Sequence, residues 1–175
     1  MNILLHTCCA PCASHCIAVL RQLGHDVTLF FSNANIAPHE EYLRRLEATK
    51  LLAKKMSVSL LVDKTEHSDW LVQVACGYEN EKERGARCER CFRFSLKRTH
   101  AAMLKYSFDG FTSTLSVSPH KNTPTLFAVG RSIDPDRFLA INFKKDDGFK
   151  HSLQLAEEMG LYRQGYCGCE FSSRA

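Results

Sequence analysis

The run His6-Thr7-Cys8-Cys9-Ala10-Pro11-Cys12, entered from the apolar stretch Ile3–Leu5, restricts this chain more than any other segment. An apolar run broken by a turn that opens a helix at Pro11 is a strand-to-helix junction, because proline suits the first helical turn. That junction puts Cys8 and Cys9 at the carboxyl edge of the first strand, where open α/β sheets bind their ligands. The helix start adds unpaired N–H groups and the positive end of a dipole, which favour thiolate over thiol. The turn is built to hold anionic sulfur.

From there the pattern alternates. Pro11 to Gln22 reads as a helix followed by Gly24, Asp26 to Phe31 as a buried strand, and His39 to Met56 as a helix with Tyr42, Leu46, Thr49, Ala53 and Met56 on one stripe. Arg44, Arg45, Lys50, Lys54 and Lys55 fall mostly elsewhere on that helix and read as a solvated face. Val58 to Val62 is a third strand, and Ser68 to Val74 a short helix whose Trp70 belongs to a core or an interface. Gly77 to Cys91 is a long polar loop, the kind that is functional or disordered, and its two cysteines argue for function. Phe92 to Leu104 follows as a helix with Cys91 at its start, then a fourth strand over Phe108 to Thr114 and a helix over Thr123 to Gly130. Phe138 to Phe143 reads as a fifth strand, and Gly148 to Met159 as a last helix closed by Gly160. The expected fold is α/β: a Rossmann-like three-layer sandwich with a mostly parallel five-stranded sheet, one domain over residues 1–175.

Nine cysteines, an odd number, occur with neither a basic leader followed by an apolar stretch nor eighteen consecutive apolar residues. A cytoplasmic location with reduced thiols is expected, so metal ligation or redox catalysis is favoured over a disulfide framework. The formal net charge of +4 is compatible with a polyanionic partner. The phosphate-cradling G-x-x-x-x-G-K-[ST] and G-x-G-x-x-G loops are absent, as is the G-x-S-x-G elbow of a hydrolase. Cysteines stand where a nucleotide-binding sandwich keeps its phosphate turn.

Soft thiolates select zinc, copper(I) or iron-sulfur clusters. Cys88 and Cys91 form a C-x-x-C pair common to zinc, cluster and redox sites, whereas adjacent Cys8 and Cys9 are unusual for zinc, whose ligands on a turn stand farther apart. Four thiolates from two loops would complete a 4Fe-4S site. Cys12 is open to two readings: the C-A-P-C run resembles a thioredoxin-like dithiol, and the same sulfur can ligate a further metal ion. Cys16 and Cys76 read as structural, and His6 as packed rather than ligating. A disulfide across Cys167-Gly168-Cys169 would close a small, strained ring, which marks labile redox pairs; two spare metal ligands is the other reading. Arg90, Arg93 and Lys97 share a helix face beside the cysteines and suit phosphate contacts.

With HTCCAPC, ERGARCERCF, FTSTLSVSPHKN and YRQGYCGCEFS in hand, the chain resembles the QueH family of epoxyqueuosine reductases over nearly its whole length. The resemblance implies reduction of the epoxide of epoxyqueuosine, in the anticodon loop of certain tRNAs, to queuosine. It implies a 4Fe-4S cluster without cobalamin, held by Cys8, Cys9, Cys88 and Cys91, with an additional iron ion left open. Cys167 and Cys169 would be the redox-active pair and an external donor would supply electrons. The sequence departs from the family pattern at Asn33-Ala34-Asn35-Ile36 (usually N-P-N-I), at Asp63-Lys64 (often Asp-Tyr), at Phe94, and at Lys144 in place of Arg. Two rival readings of the residues stand beside it: a zinc-stabilised RNA-binding module, and a thiol oxidoreductase working through Cys9 and Cys12.

Overall fold

Ile3, Leu4 and Leu5 carry apolar groups to both faces of the first strand, so both faces must be covered. The computed structural model, which describes residues 1–172, covers them with helices on either side of a parallel sheet. The elements are β1 (Asn2–His6), α1 (Ala10–Gln22), β2 (Asp26–Phe31), α2 (His39–Met56), β3 (Ser59–Val62) and α3 (His67–Trp70), the last continuing into a π-helical turn, Leu71–Ala75. Then come α4 (Ala86–Lys105), β4 (Gly110–Ser113), a 3-10 turn (Thr114–Val117), α5 (Thr123–Ile133) and α6 (Gly148–Met159). The strands lie in the order β3-β2-β1-β4, all parallel, with Leu5 opposite Leu29 and Thr112.

The alternation of side chains along the strands divides the core. Ile3, Leu5 and Leu29 meet Ile17 and Leu20 of α1, Leu52 of α2 and Ala156 of α6. Leu4, Phe30 and Phe111 meet Phe92, Leu96 and Met103 of α4 and Leu126 and Val129 of α5. Burying one such leucine contributes roughly 1.5–3 kcal/mol. The three-layer sandwich and its parallel sheet are as the sequence pattern predicts.

The sheet has four strands among the described residues, not five. Phe138–Phe143 makes a single bridge, Phe138 to Phe111, and then leaves the sheet edge. The Ser116 hydroxyl donates to the Ile141 carbonyl at 2.9 Å and accepts from the Phe143 N–H at 3.2 Å. A side chain thus takes the groups a neighbouring strand would have used. The polar loop before α4 is also shorter than predicted, because the helix starts at Ala86 with Gly85 as its N-cap and carries both Cys88 and Cys91. No helix among the described residues is long and apolar enough to cross a membrane.

Asp63, just past β3, fastens the carboxyl ends of β2 and β3 to α4. Its carboxylate accepts from Ser32 Oγ at 2.7 Å and from Arg98 Nη2 at 2.6 Å, and pairs also with Arg98 Nε. Burial pushes its pKa up, but the Arg98 guanidinium and the Ser32 hydroxyl hold it below the usual carboxylate value. A depressed folded pKa means that the stabilisation is complete above the unfolded value and is lost as pH falls through the folded one. Arg98 is 39% exposed, so solvent screening trims the contribution to about 1–2 kcal/mol. Asp63→Asn should lose about that much at neutral pH in urea denaturation, and the difference from wild type should shrink below about pH 4. A difference that stays constant down to the acid transition would contradict this account.

Candidate functional site

His6, the last residue of β1, is 1% exposed and ties three strand ends together. Its Nε2 lies 3.1 Å from the Ser32 carbonyl beyond β2, and its Nδ1 lies 2.9 Å from Ser113 Oγ at the end of β4. A carbonyl only accepts, so Nε2 carries the proton; burial lowers the pKa, leaving a neutral ring whose Nδ1 accepts from the Ser113 hydroxyl. Both ring nitrogens are engaged, and His6 is packed rather than ligating. Asn33 Nδ2 donates to the Thr7 carbonyl at 2.8 Å and fixes the next turn of chain.

That turn delivers three thiols to one place: the sulfurs of Cys8, Cys9 and Cys12 lie within 4.8 Å of one another. Cys9 is the N-cap of α1 and Cys12 sits in its first turn, which is why Pro11 and the helix start matter. Thr114 anchors Cys8, accepting from its N–H at 3.1 Å and donating its hydroxyl to the sulfur at 3.2 Å. Hydrogen bonds from Cys12 and Cys8 hold the Cys9 thiol well below its ordinary pKa against the opposing effect of burial. Donation to Cys8 and Cys9, with burial, pushes Cys12 well above its own. For Cys8 the contact with Cys12 pulls down, while the contact with Cys9 and burial outweigh it and raise the pKa to about 11. The trio therefore shares its hydrogen bonds around one favoured thiolate, and a bound cation would balance the charge of further ionisation.

The helix α4 supplies the second pair. Cys88 accepts from the Arg84 N–H at 3.2 Å, and Cys91 from Trp70 Nε1 at 3.4 Å. Burial raises both thiols, Cys91 to about 12. The tail supplies the third. Arg45, 2% exposed and paired with Glu41 at 2.8 Å, donates to the Cys167 carbonyl at 2.7 Å and the Tyr166 carbonyl at 2.9 Å. Lys121 Nζ lies 2.6 Å from Cys167 Sγ. Burial works against its charge, but the Cys167 sulfur beside it and this hydrogen bond raise its pKa, so the ammonium persists. Lys144 Nζ braces the Lys121 carbonyl at 2.9 Å.

A cavity of about 510 Å³ at the carboxyl edge of the sheet is lined by Cys8, Cys12, Cys88, Cys91, Cys167 and Cys169. Cys9 lies just behind it, fully buried, which bars the surface attack on disulfides that a thioredoxin-like role for Cys9 would need. The donor set fits a soft metal or cluster: buried thiols, N–H donors aimed at sulfur, and two helix starts facing one space. Cys167 and Cys169 are free thiols here. Cys169 packs with Ala34, Trp70 and Val74.

The structure corrects three sequence readings. Cys76 is exposed at the end of the π-helical turn and is no packed structural thiol, unlike Cys16, which is fully buried. Arg45 is not on a solvated face. Arg90, assigned to phosphate, instead donates to the carbonyls of Val74 at 3.1 Å and Gln73 at 2.6 Å and lies over the Tyr78 ring. The sequence reading missed Arg45 and Lys121, whose partners lie 122 and 46 residues away, so nothing local marks them.

Residues 3–175 match the sequence profile of the family described as epoxyqueuosine reductase QueH. Proteins named epoxyqueuosine reductase QueH are similar throughout. That of Streptococcus pyogenes is 36% identical over 182 residues, covering 99% of this chain and 71% of its own. That of Thermotoga maritima is 36% identical over 177 residues, covering 98% and 90%. That of Staphylococcus epidermidis is 33% identical over 182 residues, covering 98% and 76%.

Gly168, between the tail cysteines, has φ +145°, and a Cβ there would meet Asn35 Nδ2 and Ile36 Cγ1 at 3.1 Å and Arg45 Nη1 at 3.2 Å. Gly168→Ala should cost about 1–3 kcal/mol in urea denaturation and open the buried Cys169 to iodoacetamide. Wild-type stability and an unreactive Cys169 would show that the tail is not clamped in this way.

Proposed function

Because this chain belongs to the epoxyqueuosine reductase QueH family, we propose that it reduces the epoxide of epoxyqueuosine in tRNA to queuosine. One observation carries the reading: thiols from the first turn, from α4 and from the tail line a single cavity. Cys8, Cys9, Cys88 and Cys91 are the proposed ligands of a 4Fe-4S cluster, and Cys12 is left for an additional iron ion. When bound, the cluster supplies single electrons and a Lewis-acidic metal within reach of the pocket.

The chain's own residues complete the reaction. Removing the epoxide oxygen breaks two C–O bonds, forms a C=C bond and takes up two electrons and two protons, with the oxygen leaving as water. Oxidation of Cys167 and Cys169 to a disulfide releases that complement, and an external electron donor then restores the dithiol. Lys121 keeps a proton at Nζ beside Cys167 Sγ, relaying it to the leaving oxygen as it takes up the thiol's own. Trp70 and Phe92 line the same cavity and keep water from the reacting carbons once a flipped-out base has entered. Lys97, exposed, and Arg93, which is 41% exposed and held only by the Ser132 hydroxyl at 3.0 Å and Glu89 at 4.0 Å, are the cations of the α4 face assigned to phosphates, which makes tRNA binding salt-dependent. A tRNA substrate and reduced thiols fit the cytoplasm.

Anaerobic purification followed by iron, sulfide and visible-absorption analysis tests the metal; a brown protein with about four irons per chain is expected. Cys88→Ser and Cys91→Ser should lose iron. Cys167→Ser should retain it while turnover of epoxide-bearing tRNA falls at least about a hundredfold. A colourless zinc protein, or full turnover by Cys167→Ser, would sink the corresponding half of the proposal.

A further inference from the structure

A charge taken out of water is costly unless something compensates it, and Arg87 is 1% exposed. Its Nη1 donates to the carbonyls of Tyr78 at 3.0 Å, Glu79 at 3.4 Å and Glu81 at 2.7 Å, and the Phe171 ring lies 4.9 Å from the guanidinium carbon. These contacts fix the group in place, so it cannot extend to solvent as surface arginines do. Its other edge, Nε and Nη2, is buried with no hydrogen-bond partner, and no carboxylate pairs with it, among the described residues.

The placement sharpens the problem. Arg87 is the second residue of α4, at the helix end where the backbone dipole is already positive and a cation is disfavoured. Glu89 stands in the same first turn and the Glu81 carboxylate lies beside Gly85, yet neither pairs with the guanidinium, so its charge is left without a bonded anion among the described residues. The residue is next in sequence to Cys88 and lines the thiol cavity with Cys88 and Cys91. A neutral acceptor would satisfy the two donors and leave the charge. An anion satisfies both.

We infer that the Nε/Nη2 edge of Arg87 is the donor and counter-charge for the anionic metal–thiolate group held by the cavity cysteines. The inference rests on the cluster reading above and extends it to a residue outside the ligand set. Four thiolates give such a group net negative charge, and its reduction adds one more. Hydrogen bonds to sulfur and nearby charge both set a cluster's potential. Arg87 therefore acts as a positioning and tuning residue that favours the reduced state.

The test is the midpoint potential of the anaerobic, iron-loaded protein, followed by visible absorption and electron paramagnetic resonance, for wild type, Arg87→Gln and Arg87→Lys. In Arg87→Gln the reduced-to-oxidised ratio at a fixed potential should fall by about tenfold, a negative shift of about 59 mV for one electron. Arg87→Lys keeps the charge and should stay near wild type. If Arg87→Gln does not hold iron, Arg87→Lys decides: a near-wild-type potential supports the counter-charge, and loss of iron there too means that Arg87 only braces residues 78–81. An unchanged potential in Arg87→Gln overturns the inference, and a raised KM alongside it would reassign the donor edge to a substrate oxygen. A wild-type protein that takes up no cluster refutes the underlying reading instead.

Discussion

The site depends on a buried, neutral imidazole at the floor of the cavity. His6 joins the carbonyl of Ser32 to the hydroxyl of Ser113, so the carboxyl ends of β1, β2 and β4 are held at fixed spacing. Three of the segments that line the cavity leave from those ends: the Cys8–Cys12 turn from β1, the Asn33–Ile36 loop from β2, and the Thr114–Lys121 segment from β4. A charged ring there would need an anion that β-sheet carbonyls cannot supply. Burial keeps it neutral, and the tautomer follows from which neighbour is an obligate acceptor.

Around this anchor the chain gathers sulfur in surroundings that are hostile to thiolates without a cation. Burial raises Cys88 and Cys91, and the first-turn trio stabilises only the one anion. Positive features converge on the same space: the starts of α1 and α4, the Lys121 ammonium and the Arg87 guanidinium. Such an arrangement suits an inorganic core that is cationic at its metals and anionic as a whole once the thiols have been deprotonated. The neighbouring tail is held differently, through carbonyls gripped by Arg45 and a sulfur touched by Lys121, so Cys167 and Cys169 are positioned by groups that do not belong to the proposed ligand set.

Departures from local pattern are concentrated where side chains compete with backbone. Phe138–Phe143 has the apolar content of a strand, but Ser116 captures the groups that would have formed the ladder, and only the bridge at Phe138 survives. The polar run ahead of Phe92 lacks apolar periodicity, yet its last residues are helical because Gly85 caps a turn that faces a cavity instead of a core. Arg45 and Arg90 sit in charge-rich windows that read as solvent-facing. Their guanidinium groups are turned inward to backbone carbonyls, which carry no signal in sequence.

By itself the sequence determined the alternation of strand and helix and the strand-to-helix turn bearing Cys8 and Cys9, and it singled out Cys88, Cys91, Cys167 and Cys169, since these follow from apolar period, proline placement and residue chemistry. It also carried the motifs that mark the family. Only the tertiary structure decided that Cys12 joins Cys8 and Cys9, that Lys121 meets Cys167, that Cys76 is exposed, and that Arg87 is left with an unsatisfied edge. The reason is distance along the chain: local pattern reports what a residue does for its own element. A charge or a thiol acquires its role from partners tens of residues away, which come within reach only when the sheet has closed.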